Sequence, residues 1–132
     1  MKKFDNFCMA LENLKEINNY SEPFDTVTKT GLVALFEICF EQACKAMKES
    51  LEVHGFDGGK TGSPRMTIKL AYAANMIEDE EIWLKALSAR NNVARSYNEA
   101  VALDIIKNTR EIFLKMFLDL KENLKNNWIE ID

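Results

Sequence analysis

Leu32-Val33-Ala34-Leu35-Phe36-Glu37-Ile38-Cys39-Phe40-Glu41-Gln42-Ala43-Cys44-Lys45-Ala46-Met47 opens the stretch that decides the fold, and the pattern continues through Leu51 to Gly55. Leu32, Phe36, Cys39, Phe40, Ala43, Met47 and Leu51 recur at three- and four-residue steps, which line one face of an α-helix. A strand would alternate every second residue, and this segment does not. Gly55 closes the pattern, because glycine takes the left-handed conformation in which helices end. The reading is a long second helix of more than about twenty residues.

Upstream, Phe4, Phe7, Cys8, Leu11, Leu14 and Ile17 keep the same steps and predict a first amphipathic helix over residues 4–17, separated by the turn Tyr20-Ser21-Glu22-Pro23. Downstream, Gly55-Phe56-Asp57-Gly58-Gly59-Lys60-Thr61-Gly62 holds four of the five glycines and predicts a mobile loop. Ser63-Pro64 reads as an N-cap followed by proline at the first helical position, opening a short third helix through Met66, Leu70, Ala73, Ala74 and Ile77. Glu78-Asp79-Glu80-Glu81 suits the positive end of a fourth helix carrying Ile82, Trp83, Ala86 and Leu87. Ser96 and Glu99 have capping-box spacing, and the apolar series from Ala102 to Leu124 predicts a long last helix. The expected fold is all-α: one domain over residues 1–132, an antiparallel up-and-down four-helix bundle with one additional short helix.

A chain of 132 residues, 47% hydrophobic, suits a single core. Its net charge of −4 and pI of 5.1 provide no general attraction for nucleic acid, so any such contact must be local. Cys8, Cys39 and Cys44 lack the short paired spacings of zinc or redox motifs and read as reduced, buried thiols. The first residues contain no uninterrupted apolar stretch of the signal-peptide kind, and the run from Leu32 to Phe36 is far short of the roughly 20 residues of a membrane helix. A cytoplasmic protein is expected.

Three other leads are weak. Gly59-Lys60-Thr61 invites comparison with a phosphate-binding loop, but His54 stands where the first glycine is required and a helix, not a strand, precedes it. His54, the lone histidine, is suited to meeting the carbonyls that end the second helix. Glu37 and Glu41 share a helix face, yet no Glu-x-x-His pair accompanies them, so no metal site and no cofactor are expected.

The segment Arg90-Asn91-Asn92-Val93-Ala94-Arg95-Ser96-Tyr97 carries the functional signal. At about 100° per residue Arg90 and Tyr97 lie roughly 20° apart on a helix, and Asn91 and Arg95 roughly 40° apart. A cap at Ser96 would instead make the segment straddle two helix ends, where free amides favour an anion. From Lys85 to Arg110 the basic residues Lys85, Arg90, Arg95, Lys107 and Arg110 face only Glu99 and Asp104, a local excess of +3. Guanidinium forks donate paired hydrogen bonds to phosphate, so Arg90 and Arg95 are the expected phosphate-binding residues. Pairing with surface carboxylates is the plain alternative.

Together with Phe36 to Lys45, Ser63-Pro64-Arg65 and Glu81-Ile82-Trp83-Leu84, this segment resembles the nucleotidyltransferase-substrate-binding branch of the HEPN family, over roughly residues 30–125. In that branch the motif runs Arg-Asn, three variable residues, His, one residue and Tyr; Arg90, Asn91 and Tyr97 match, while Arg95 stands in the His position. The resemblance implies a dimerising helical bundle, a minimal nucleotidyltransferase encoded nearby as partner, and a toxin–antitoxin-like pairing. It also implies that Arg90, Asn91, Arg95 and Tyr97 form the catalytic motif of the ribonuclease members, with Tyr97 the adenylylation site. Metal-independent RNA cleavage needs groups that exchange protons near neutral pH, and a guanidinium with a pKa above about 12 does not. The expectation is a non-catalytic or weakly catalytic subunit that binds nucleotide or RNA phosphate. A ribonuclease still active with Arg95, and a purely structural dimer or adaptor, are the alternatives.

Overall fold

The computed structural model describes residues 2–56 and 62–129. Helix α2 (Thr26–Val53, 28 residues) is its spine. The Asp25 carboxylate accepts the Thr28 amide at 2.7 Å and opens the helix. Its far end closes as the glycine predicted: Gly55 takes φ 76°, its amide donates to the Glu52 carbonyl, and the Phe56 amide reaches back to the Leu51 carbonyl at 2.9 Å. The positions 57–61 of the glycine-rich loop, including Lys60 and Thr61, lie outside the described residues.

Around the spine stand α1 (Lys2–Leu14), extended by a tight 3₁₀ turn over Lys15–Asn19, then α3 (Pro64–Ala73) and α4 (Glu80–Ser96). A final helical run comprises α5 (Glu99–Asn108), a wider π turn at Thr109–Phe113, α6 (Leu114–Asn123) and a second π turn at Leu124–Trp128. Every regular element among the described residues is helical, in accord with an all-α bundle carrying one short extra helix. The first helix gives way to the 3₁₀ turn earlier than its periodicity predicts, but Ile17 remains fully buried on that turn.

The ends of α3 show why it stays short. Ser63 accepts the Met66 amide at 3.2 Å, with Pro64 in the first turn. Past Ala73 the backbone turns left-handed at Asn75, with φ 62°, and the Met76 amide closes the turn on the Ala71 carbonyl at 2.8 Å. Asparagine is the residue besides glycine most tolerant of this conformation.

The core is aromatic at its centre. Phe36 of α2 stacks on Phe113 at 5.2 Å between centroids, Phe117 meets Phe7 at 6.2 Å, and Trp83 of α4 contacts Phe40 at 6.1 Å and Phe117 at 5.6 Å. These rings join α1, α2, α4 and the last helical run in one continuous apolar cluster. His54 caps α2, but its imidazole serves another helix, with Nε2 2.7 Å from the Trp128 carbonyl and the ring edge-on to that indole at 5.0 Å. No described helix is long and apolar enough to cross a membrane.

Candidate functional site

Helix α4 places the motif. Asp79 caps it by accepting the Ile82 amide at 3.2 Å, and Glu80 and Glu81 in the first turn complement the dipole. Trp83, Ala86 and Leu87 fasten the helix to the core. Arg90 and Tyr97 follow Trp83 at seven-residue intervals, so all three share a stripe that turns toward α2. The helix runs unbroken to Ser96, with Tyr97 as its extended C-cap.

This corrects the expected cap. Asn98, not Ser96, begins α5: its side-chain oxygen accepts the Val101 amide at 2.9 Å, while its Nδ2 approaches the Ser96 carbonyl at 3.4 Å. Arg90, Asn91 and Arg95 therefore all belong to α4, and Arg95 lies in its last turn, where the free carbonyls favour cations. The anion-favouring amides at the start of α5 have Glu99 among them, which pairs with Lys29 of α2 at 3.1 Å. The local excess of basic charge is also dispersed. Arg110 donates to the carbonyls of Ile17, at 2.8 Å, and Tyr20, and lies over the Phe24 ring, so it fastens the 3₁₀ turn to the last helical run.

The motif side chains divide along α4. Tyr97, 44% exposed, places its hydroxyl 3.1 Å from the Thr30 hydroxyl near the start of α2. Arg95 is exposed, and among the described residues its side chain has no hydrogen bond or ion pair. Asn91, next to Arg90 in sequence, is half-buried. Arg90, also half-buried, lines a recess of about 180 Å³ between α2, α3 and α4, together with Phe40, Glu41, Cys44, Lys45 and Lys48 of α2 and Gly62, Ser63, Pro64 and Thr67 at the start of α3. Seven residues of helix separate Arg90 from Tyr97, about 10 Å of rise, so a single chain does not gather all four motif residues around one point.

The electrostatics of the recess follow from burial. Cys44 is pushed up to about 12 by burial, which outweighs the opposing Arg90 charge, while Glu41 adds to the rise. At neutral pH it is a thiol and not a nucleophile. Burial also raises Glu37 above the ordinary carboxylate range, with Arg90 pulling the other way and Glu41 reinforcing the rise. Lys45 is paired with Glu41 at 3.3 Å. The side chains of Arg90 and Lys48 form no ion pair among the described residues, so two uncommitted cations border the same opening. Such a place can take an anion. Lys48 and Thr67 escaped the sequence reading, because their helices had to be packed before they met Arg90; the Lys45 and Lys48 spacing on α2 was the available signal.

Comparison with known families matches residues 2–126 to the one described as "Nucleotidyltransferase substrate binding protein like". No curated protein matches the chain.

Proposed function

The chain belongs to the nucleotidyltransferase substrate binding protein like family, a HEPN-type group, and from that premise we propose that it is the substrate-binding partner subunit of a minimal nucleotidyltransferase encoded nearby. In this reading it holds nucleotide or RNA phosphate through Arg90 and Arg95, works as a homodimer in a toxin–antitoxin-like pair, and leaves nucleotidyl transfer to its partner. The observation that carries it is Arg90, which forms no ion pair among the described residues and lines a recess that also presents Lys48. Dimerisation would bring a second Arg95 and Tyr97 to a common cleft, since both are exposed near the same helix end.

With Arg95 in the histidine position, the motif retains groups that stabilise negative charge but lacks one that shuttles protons at neutral pH. Tyr97 offers a half-exposed hydroxyl to a modifying partner. Co-expression with the neighbouring nucleotidyltransferase tests the reading. The two proteins should co-elute, and Arg90→Ala and Arg95→Ala should each weaken nucleotide binding about tenfold or more, the scale of one charge-assisted hydrogen bond. Tyr97→Phe should abolish any mass gain of one nucleotidyl group. Arg95→His should introduce chelator-resistant RNA cleavage, raising it by roughly 10²- to 10⁴-fold. Strong cleavage by the unaltered chain, or intact binding in both arginine variants, refutes the proposal.

A further inference from the structure

Away from the Arg90 recess, and sharing no lining residue with it, a groove of about 810 Å³ runs between the last helical run and the turn that leads into α4. Residues 75–83 supply one wall and residues 111–127 the other, about 24 Å of helix. The walls are tied to each other by the Asn123 side chain, which donates to the Asn75 and Met76 carbonyls at 3.2 and 2.6 Å. Both π turns border the groove, Thr109–Phe113 through Glu111 and Ile112, and Leu124–Trp128 through Asn126 and Asn127. Single π turns within helices recur at functional sites.

The charge of the groove is one-sided. Glu78, Asp79, Glu111, Asp119 and Glu122 border it against a single described cation, Lys115, a net −4 that equals the charge of the whole chain. Lys115 bonds Asp119 at 2.9 Å, and its pKa is raised by Asp119 first and also by Glu78 on the other wall. Glu78, Glu111 and Glu122 form no ion pair among the described residues. Nor do the carboxylates converge, since no three potential ligands among the described residues gather closely enough to hold a metal ion. Strung along the groove, they attract a row of cations and repel phosphate. The surface between them is apolar: Ile82 and Ile112, one on each wall, are only partly covered, with Met116 and Leu120 nearly buried below.

We propose that this groove docks a basic amphipathic helix of another protein, whose lysines or arginines meet Glu78, Glu111 and Glu122 while an apolar side chain covers Ile82 and Ile112. Glu111, Lys115, Asp119 and Glu122 recur at steps of four and three along the last run, so a helix laid beside it matches them with side chains at the same steps. A small polycation would satisfy the carboxylates but leave both isoleucines uncovered. This surface does not depend on the phosphate reading at Arg90.

Fluorescence anisotropy tests the assignment, with the full chain titrated into a labelled Leu–Lys amphipathic helical peptide of about sixteen residues, enough to span the groove. The triple variant Glu78→Gln, Glu111→Gln, Glu122→Gln should weaken binding about tenfold or more, the sum of three modest ion pairs. Asp5→Asn, Glu16→Gln, Asp104→Asn removes the same charge from exposed positions outside the groove and should change affinity by less than about twofold. Serines in place of the leucines of the peptide should cost about tenfold as well, since they remove its apolar face. All six substituted positions are exposed, so both triple variants should keep the melting temperature of the parent within a few degrees. Equal loss in the two triple variants would reduce the effect to net charge. Undiminished binding of the serine peptide, or spermine binding as tightly as the Leu–Lys peptide, would leave a site for small polycations and no docking surface. Any of these results, or no binding by the unaltered chain, overturns the proposal.

Discussion

Trp83→Ala should uncouple α4 from the bundle, and with it the position of Arg90. Trp83 is 2% exposed and meets Phe40 and Phe117 at 6.1 and 5.6 Å. Removing a buried indole costs roughly 3–5 kcal/mol, through lost burial, lost ring contacts and a cavity that its neighbours fill only partly. Two aromatic partners and near-complete burial place this site toward the upper part of that range. Against a typical domain stability of about 5–15 kcal/mol, the loss is about a fifth or more, and at about 4 °C per kcal/mol it lowers the melting temperature by roughly 12–20 °C. Urea unfolding followed by far-ultraviolet circular dichroism measures it without relying on the deleted fluorophore. Trp83→Phe should restore about half. A cost below about 1.5 kcal/mol for the alanine variant, with an unchanged denaturant slope, would mean that the indole is not packed between those rings, and the anchoring of Arg90 through α4 would have to be abandoned.

Three further substitutions address local points. Asn98→Ala should destabilise by about 1 kcal/mol, and Ser96→Ala by less than about 0.5, in chemical denaturation; the reverse ranking would restore the Ser96 cap. Asn75→Gly should be neutral or raise the melting temperature, whereas Asn75→Ala should lower it, because only the second places an ordinary side chain at φ 62°. Glu37 has a raised pKa, so its protonated form is favoured in the fold: that contribution is complete below the unfolded value of about 4.3 and is lost as pH rises through the folded value. Glu37→Gln should accordingly melt higher than the parent at pH 7, with the difference vanishing below about pH 4; a constant difference across that window would contradict the assigned burial.

Much of the architecture was legible because its signals are local. The apolar steps of Leu32 to Leu51, the glycine at 55 and the Ser63-Pro64 pair each act within one or two turns, and each does in the structure what its chemistry predicts. The Ser96 cap failed for an instructive reason. Ser96 and Asn98 can both cap a helix, and local spacing favours the first; helix α4 continues because Tyr97 reaches Thr30, and Lys29 meets Glu99 across the same junction. Those contacts span about seventy residues of sequence and leave no trace in a short window. The π turns at Thr109–Phe113 and Leu124–Trp128 were likewise hidden within an apparently even apolar rhythm.

The sequence by itself determined an all-helical chain, its main helix ends, and a family motif with arginine where histidine is usual, since periodicity, capping chemistry and motif spacing are properties of neighbouring residues. Only the tertiary structure decided that Arg90 and Arg95, five residues apart on one helix, have different surroundings. Arg90 joins Lys48 and Thr67 from two other helices at a recess, while Arg95 projects from the end of α4. The reason is geometric: a helix sets the angle between two side chains, but what each one meets depends on how the other helices pack against it.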